Sequence, residues 1–143
     1  MPIEPTLSPE ETRRYARHLV LKGMGGAGQQ RLRAARVLVV GAGGLGSPAI
    51  AYLAGAGVGR LGVVDHDTVS VTNLQRQIVH TTHSVGQLKT KSAEAFVTAL
   101  NPHVDLVRID TALTSDNAAA VLVDYDVVLD GTDNLVTRRL VAA

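Results

Sequence analysis

Apolar and polar positions along the chain alternate between two kinds of segment. Short runs of aliphatic, mostly β-branched residues predict strands at 37–40, 61–65, 106–109 and 127–130. Alanine-rich segments with helical spacing lie between them and predict helices at 47–56, 87–100 and 115–123. This alternation is typical of βαβ units, so we expect an α/β fold in which helices cover both faces of a parallel sheet.

A helical arm is predicted before the first strand. Ser8, Pro9 and Glu11 form a capping signature that predicts a helix over 9–20. A glycine-rich, irregular segment follows at 22–28, and a second short helix is expected over 29–35. Residues 1–36 hold seven Lys/Arg but only three acids, so this end of the chain is locally basic. We therefore divide the chain into an arm at 1–35 and an α/β domain at 36–143.

Composition excludes several classes of protein. The 143 residues include 14 Lys/Arg and 13 Asp/Glu, and a formal net charge of +1 does not indicate a nucleic-acid partner. With no Cys, the chain has no disulfides, no cysteine zinc site and no thiolate nucleophile. The uncharged stretch at 37–59 is long enough to cross a bilayer, but its seven glycines and Pro48 indicate a strand-to-helix turn. Since the start resembles no targeting segment, we expect a cytoplasmic protein with no membrane partner.

The strongest chemical signal is GAGGLG at residues 41–46, between the first predicted strand and its helix. Glycines let the backbone turn tightly and approach a ligand, and the helix N-terminus then offers free N–H groups to phosphate. Gly41, Gly43, Gly44 and Gly46 are therefore candidate nucleotide-binding residues. The motif does not identify the nucleotide, and a turn needed only for packing a helix on the sheet is the alternative.

Charged residues after the glycine motif favour a triphosphate. Asp65 ends the second predicted strand, where a carboxylate can accept hydrogen bonds from a ribose diol, as in an NAD enzyme. Arg76 and Lys89 follow, and a dinucleotide has no need of them at this edge. A triphosphate carries roughly four negative charges that must be countered by Arg, Lys and a metal ion. Taken singly, each cation is equally well explained as a solvated surface charge.

The fourth predicted strand runs into DGTDN at 130–134, at the sheet edge where ligands of open α/β folds bind. Asp133 could hold Mg²⁺ through a carboxylate oxygen. Capping of the next helix, expected from residue 134 onward, accounts for Thr132, Asp133 and Asn134 equally well.

The histidines and aromatic residues give weaker signals. His80 and His83 have a metal-compatible spacing, but no third ligand accompanies them and their segment is predicted to be a polar loop. The aromatic residues are expected to be packing residues: Tyr15, Tyr52, Phe96 and Tyr125.

Six motifs in this order resemble the ThiF/MoeB/HesA family of ubiquitin-activating-type adenylyltransferases. They are YARH at 15–18, GAGGLG at 41–46, DHD at 65–67, NLQRQ at 73–77, VGQLK at 85–89 and DGTDN at 130–134. The resemblance covers nearly the whole chain from about residue 8. It implies a Rossmann-like fold that uses ATP and Mg²⁺ to adenylate the C-terminal Gly carboxylate of a ubiquitin-like sulfur-carrier protein ending in Gly-Gly, with release of pyrophosphate.

The resemblance also implies a role for individual residues. Gly44 would lie against the phosphates, Asp65 on the ribose and Asp133 on the metal. Asn73, Arg76 and Lys89 would hold the triphosphate, and Asn134 would lie beside the nucleotide. The other implied nucleotide contacts are Gly41, Gly43, Gly46, Asp67, Thr72, Leu74 and Gln75. Arg17 would reach from the arm of one subunit into the site of its neighbour, which implies a homodimer.

Part of the family pattern has no counterpart in these residues. The family's later half carries Cys-x-x-Cys pairs for structural zinc and much of the groove for the carrier. We therefore expect either a fragment that is inactive alone or a degenerate relative, with zinc only if a further C-terminal segment carries Cys pairs. Leu88 also stands where many relatives have Pro. An NAD-dependent oxidoreductase domain and a non-catalytic nucleotide-binding or dimerisation module are the alternative interpretations.

Overall fold

A four-stranded parallel sheet lies at the centre of the computed structural model, which describes residues 7–132. The strands are β1 (Arg36–Val40), β2 (Arg60–Val64), β3 (Asp105–Ile109) and β4 (Val127–Asp130), in the order β3-β2-β1-β4. The predicted parallel α/β fold is confirmed, and each predicted strand start agrees to within one residue. Asp65 is a correction, because it follows β2 instead of ending it.

The helices of the described residues surround this sheet. They are α1 (Pro9–Arg14), α2 (Ala16–Leu19), α3 (Gly25–Ala34), α4 (Gly46–Ala56), α5 (Lys89–Leu100) and α6 (Ala118–Leu122), with short 3₁₀ turns at Val71–Asn73 and Thr82–Ser84. None of them is long and apolar enough to cross a membrane. The uncharged stretch at 37–59 contains β1, the glycine turn and α4 in series.

Alternate residues of β1 pack on opposite faces of the sheet. Val37 and Val39 belong to a core that α4 and α5 cover, whereas Leu38 and Val40 belong to a second core that α6 covers. All four side chains are buried, as expected for a central strand of a parallel sheet. The prediction of helices on both faces is therefore confirmed.

The helix predicted over 9–20 is wrong, because the chain breaks at Tyr15 (φ −99°, ψ 17°) into α1 and α2. Its start is as predicted: the Ser8 hydroxyl accepts a hydrogen bond from the Glu11 N–H, and the Glu11 carboxylate accepts one from the Ser8 N–H. The break buries Tyr15, whose hydroxyl accepts a hydrogen bond of 2.8 Å from Asn101 Nδ2. A helical pattern in the arm carries no information about this distant partner.

The second arm helix is predicted to start at Gln29, but α3 starts four residues earlier and includes three glycines. Each glycine costs a helix roughly 1 kcal/mol relative to alanine. Contacts made later in α3 stabilise it: Gln29 donates to the Ala56 carbonyl at 2.8 Å, and its amide oxygen lies 2.9 Å from His18 Nδ1. These contacts come from other segments, so local propensity misplaces the start.

Two further helices start later than predicted, because the residues before them form a β-bridge in one case and a turn in the other. α5 begins at Lys89 instead of Gln87, since Leu88 pairs with Thr68 in an antiparallel bridge. α6 begins at Ala118 instead of Ser115, because the Asn117 side chain accepts the Thr114 N–H at 2.8 Å in a preceding turn.

The packing prediction for the aromatic residues holds for three of them. Tyr15 is buried, and Phe96 and Tyr125 pack against the two cores. Tyr52 is a correction, because it lies 78% exposed on the outer side of α4. The sequence shows an alanine-rich helix around this residue, but only packing decides which side of the helix faces the sheet.

α4 packs against the sheet edge at a distance that only glycine allows. A Cβ at position 46 would lie 1.6 Å from the Gly41 carbonyl oxygen. A Cβ at Gly131, just after β4, would lie 2.9 Å from the Gly46 Cα. Gly41 itself has φ +96°, a left-handed conformation that favours glycine. The glycine motif is thus a steric requirement of the fold as well as a candidate binding element.

We expect Gly46→Ala to lower the free energy of unfolding by about 1–3 kcal/mol or more, because backbone must move to admit the methyl group. Gly44→Ala is the matched control, since its Cβ would meet nothing closer than 3.7 Å, and its effect should stay within about 0.5 kcal/mol. Urea unfolding of both variants measures the difference. Equal stabilities would show that α4 does not pack as tightly as described.

Candidate nucleotide-binding site

A cavity of about 450 Å³ opens at the carboxyl edge of the sheet. Ends of β1 and β2, the glycine turn and the segment after β4 line it. β2 lies on one side of β1 and β4 on the other, so the cavity is at the switch point where open α/β folds bind ligands. Its volume falls in the roughly 300–1,000 Å³ range of small-molecule sites.

Eight of the residues predicted for nucleotide binding line this cavity. They are Gly41, Gly43, Gly44, Asp65, Asp67, Asn73, Arg76 and Lys89. They come from the glycine turn, the segment after β2, the 3₁₀ turn at Val71–Asn73 with the residues just after it, and the start of α5. The fold therefore brings four separate sequence segments to one place.

Asp65 fixes the shape of the glycine turn. Its Oδ2 accepts a hydrogen bond of 2.8 Å from the Ala42 N–H, and its Oδ1 accepts one of 2.8 Å from the Asp67 N–H. A carboxylate oxygen has two lone pairs, so each oxygen retains the capacity to accept another hydrogen bond. Asp65 can thus hold the turn and still accept a ribose hydroxyl, which keeps its predicted role a proposal.

Arg76 and Lys89 supply positive charge from two different segments. The Arg76 Nε lies 3.7 Å from the place that a Cβ on Gly44 would occupy, so the guanidinium is beside the glycine turn. Lys89 is the first residue of α5, is only 9% exposed and lines the same cavity. Together with the N-terminus of α4, these two cations offer positive charge to an anion, beside the carboxylates of Asp65 and Asp67 in the same lining.

Five predicted residues are not part of the cavity lining: Arg17, Gly46, Thr72, Leu74 and Gln75. Gly46 is buried behind the turn, and Thr72 offers its carbonyl oxygen to the Arg76 guanidinium at 3.3 Å. Arg17 is exposed on α2, and its contact with a neighbouring subunit stays a prediction. The predicted positions Asp133 and Asn134 lie outside the described residues.

Gln77 lines the cavity although the sequence predicts no role for it. It is 3% exposed, and its side-chain nitrogen would lie 3.6 Å from a Cβ at Gly43. Its Oε1 is buried and has no hydrogen-bond partner among the described residues. Its place next to Arg76 in the NLQRQ motif is a signal that could have indicated it, but a single Gln is common on protein surfaces.

His80 lies in a loop, as predicted, but it is buried behind the glycine turn with 4% of its surface exposed. Its Nε2 lies 2.9 Å from the Ala42 carbonyl oxygen and its Nδ1 lies 2.7 Å from Ser92 Oγ. Burial lowers the pKa of His80 below the ordinary 6.5, and nearby Lys89 adds to this, whereas the Ala42 carbonyl and Asp65 oppose it. The ring is neutral at pH 7 and is not arranged as a metal ligand.

Asp65, His66 and Asp67 place three potential ligand atoms within 4.8 Å of one another. Both oxygens of Asp65 are already bonded to backbone N–H groups. Exposed acidic groups are common without a metal ion, and His66 and Asp67 are exposed, so we assign no metal to this cluster.

The fold is of the Rossmann-like α/β class, and its cavity lies at the switch point where proteins of this class bind nucleotides. Within that class, the chain belongs to the ThiF family, whose family model matches residues 15–143.

The chain is similar to several named proteins. It is 50% identical over 137 residues to the adenylyltransferase and sulfurtransferase UBA4 of Candida glabrata, covering 95% of this chain and 32% of that protein. It is 49% identical over 141 residues to the probable adenylyltransferase/sulfurtransferase MoeZ of Mycobacterium tuberculosis, covering 97% and 36%. The chain thus spans about a third of the length of these curated relatives.

Solved structures share the fold. The E. coli tRNA N6-threonylcarbamoyladenosine dehydratase TcdA matches with a TM-score of 0.91 at 29% identity, covering 96% of this chain and 57% of that one. The same enzyme in complex with ATP matches with a TM-score of 0.88 at 31% identity, covering 94% and 56%.

We expect Asp65→Asn to lower the free energy of unfolding by about 1–3 kcal/mol, because an amide cannot accept both backbone N–H groups. Asp67→Asn is the matched control: its side chain is exposed, and its effect should stay within about 0.5 kcal/mol. Urea unfolding at pH 7 measures both. If the two variants are equally stable, Asp65 does not hold the turn.

Acid is expected to destabilise the fold through His80. Its folded-state pKa is lowered, so the unfolded chain binds the proton first as the pH falls. The contribution of neutral His80 to the free energy of unfolding is complete above pH 6.5. It is lost as the pH falls through the lower folded-state pKa. Urea unfolding between about pH 7.5 and 5 should show a smaller loss of stability in His80→Gln than in the wild type. An unchanged pH dependence in His80→Gln would contradict this role of His80.

Proposed function

We propose that the protein containing this chain uses ATP to adenylate the C-terminal Gly carboxylate of a ubiquitin-like sulfur-carrier protein, releasing pyrophosphate. One observation carries the proposal: a glycine turn, Arg76 and Lys89 line a single cavity at the switch point of the sheet. The names of the relatives, which are adenylyltransferases and sulfurtransferases, support it. So does the ATP complex of TcdA, which has the same fold.

The proposed reaction needs no protein nucleophile. A carboxylate oxygen attacks the α-phosphorus of ATP, an acyl-adenylate forms, and the bond to the β-phosphate oxygen breaks to release pyrophosphate. Two anions must be brought together and the leaving group must be neutralised, which is a task for positioning and electrostatics. Arg76, Lys89 and the backbone N–H groups of the turn suit that task, and the absence of Cys is no obstacle.

Mg²⁺ belongs to the proposal as the partner of the triphosphate. We assign Asp133 as its ligand and Asn134 as a nucleotide contact, both on the motif resemblance. When bound, the ion would neutralise part of the phosphate charge, and a hard cation of this kind prefers carboxylate and water oxygens. The described cavity fits such an arrangement, since Thr132 at its edge directly precedes Asp133 in the chain.

The carrier and the homodimer are the less direct parts of the proposal. Identities near 50% with adenylyltransferase/sulfurtransferases favour a sulfur carrier as the acyl substrate over the tRNA-linked group in the name of TcdA, which is 29% identical. In the homodimer, Arg17 of the partner subunit would add a cation to the site. An NAD-dependent oxidoreductase would offer Arg76 and Lys89 only a diphosphate with about two negative charges, which is less than a triphosphate offers.

We expect Arg76→Ala in the full-length protein to slow carrier-dependent ATP–pyrophosphate exchange by about 10²–10³-fold, because one cation is lost from the triphosphate. Lys91→Ala is the matched control, since Lys91 is exposed on α5 and does not line the cavity. Exchange of labelled pyrophosphate into ATP measures the rate.

Two outcomes of this experiment, and one of a separate measurement of nucleotide affinity, would contradict the proposal. Wild-type exchange that does not depend on a carrier ending in Gly-Gly would remove the carrier as substrate. Undiminished exchange in the Arg76→Ala variant would remove the assigned role of Arg76. Tighter binding of NAD than of ATP·Mg²⁺ would favour the oxidoreductase alternative.

A further inference from the structure

His80 is a buried polar residue next to the nucleotide cavity, and the adenylation chemistry gives it no part. Its imidazole contacts the turn at one end and α5 at the other, through the Ala42 carbonyl at 2.9 Å and Ser92 Oγ at 2.7 Å. A carbonyl oxygen can only accept a hydrogen bond, so Nε2 carries the proton. In the neutral ring Nδ1 is then the acceptor, and the Ser92 hydroxyl donates to it. The Ala42 carbonyl thus fixes the tautomer, and the bond to Ser92 fixes the orientation of the ring.

The Ala42 carbonyl and the Gly43 N–H belong to the same peptide unit. In a planar trans peptide these two groups point in opposite directions. Because the carbonyl is directed at the buried His80, the Gly43 N–H is directed away from it. Gly43 lines the cavity, and its N–H donates to no acceptor among the residues that the structure describes.

The preceding peptide unit is held in the same manner. The Ala42 N–H donates to Asp65 Oδ2 at 2.8 Å. Both polar backbone groups of Ala42 are therefore bonded to buried or half-buried side chains, and neither peptide of the turn is free to rotate. Gly43 has no side chain to restrict rotation, so these two contacts orient its N–H together with the 2.8 Å hydrogen bond that the Gly43 carbonyl accepts from the Ser47 N–H.

We propose that His80 is a positioning residue for the nucleotide: by donating to the Ala42 carbonyl, it holds the Ala42–Gly43 peptide with the Gly43 N–H directed at the phosphates. This inference rests on the proposed function of the cavity as an ATP site. The neutral ring that burial produces is the form that donates from Nε2 alone. Displacement of a binding group by about 1 Å is enough to weaken a site strongly, which is why a buried ring is an effective support.

Two amide variants separate this role from simple packing. The amide group of Gln reaches the position that His80 Nε2 occupies and can still donate to the Ala42 carbonyl, but it loses the contact with Ser92. The shorter Asn side chain ends near the position of Nδ1, so it can bond to Ser92 but does not reach Ala42. Each variant keeps one of the two buried hydrogen bonds, so both should lose a similar amount of stability toward urea.

The experiment measures the Kd of ATP·Mg²⁺ by calorimetry for the full-length wild type, His80→Gln and His80→Asn. We expect His80→Gln to bind within about threefold of the wild type and His80→Asn to bind about 10–100-fold more weakly, the effect of one lost hydrogen bond to a charged ligand. Equal affinities of the two variants, or affinities that follow their stabilities, would overturn the inference.

A second experiment uses variants of two buried serines and does not depend on the folding of the histidine variants. Ser92→Ala removes the group that orients the ring, and we expect the Kd of ATP·Mg²⁺ to rise about threefold to tenfold. Ser84→Ala is the matched control, because Ser84 is buried in the same region and its hydroxyl bonds only within its own turn, to Thr81. Equal affinities of these two variants would also overturn the inference.

The same measurements separate failure of this inference from failure of the proposed function. If the wild type does not bind ATP·Mg²⁺, the proposed function fails and the inference fails with it. If the wild type binds ATP·Mg²⁺ and the Gln and Asn variants bind it equally, only the role of His80 fails.

Discussion

The close approach of α4 to the glycine turn is the constraint on which the site depends. With a Cβ at position 46 only 1.6 Å from the Gly41 oxygen, any larger residue would push the helix away from the sheet. At the observed distance the N-terminus of α4 reaches the carboxyl edge of β1, next to the end of β4. The free N–H groups of the helix and the cavity are both consequences of this contact.

Buried polar contacts then fix the backbone conformation of the glycine turn, which glycine residues alone would leave flexible. Asp65 and His80 hold the two polar groups of Ala42, and Ser92 holds His80 from α5. A similar set secures the arm, where Asn101 donates both to the Tyr15 hydroxyl and to the Ala54 carbonyl at 2.8 Å. In each case a satisfied buried polar group specifies one arrangement, because any other would leave it unpaired.

Most of the sheet could be predicted from the sequence, because a central parallel strand is apolar on both faces. A short β-branched run between turn residues also favours a buried strand over a helix. The starts of α3, α5 and α6 and the break at Tyr15 were not predictable, since each depends on contacts outside the helix itself. Arg76 and Lys89 were found because cations have a chemical use in a phosphate site. The burial of His80 and the place of Gln77 in the cavity were missed, because one buried polar residue looks the same in the sequence as an exposed one.

Charge balance within the cavity supports the proposal that further groups complete the site. A triphosphate brings roughly four negative charges. Arg76 and Lys89 supply two positive ones, while Asp65 and Asp67 add two negative charges to the same lining. The α4 N-terminus contributes about half a charge, which leaves a deficit. The proposed Mg²⁺ and Arg17 of the partner subunit would supply about three positive charges and the ligand Asp133 one negative charge, so the deficit would fall by about two charges. A second subunit and the segment after β4 are therefore proposed as parts of one site.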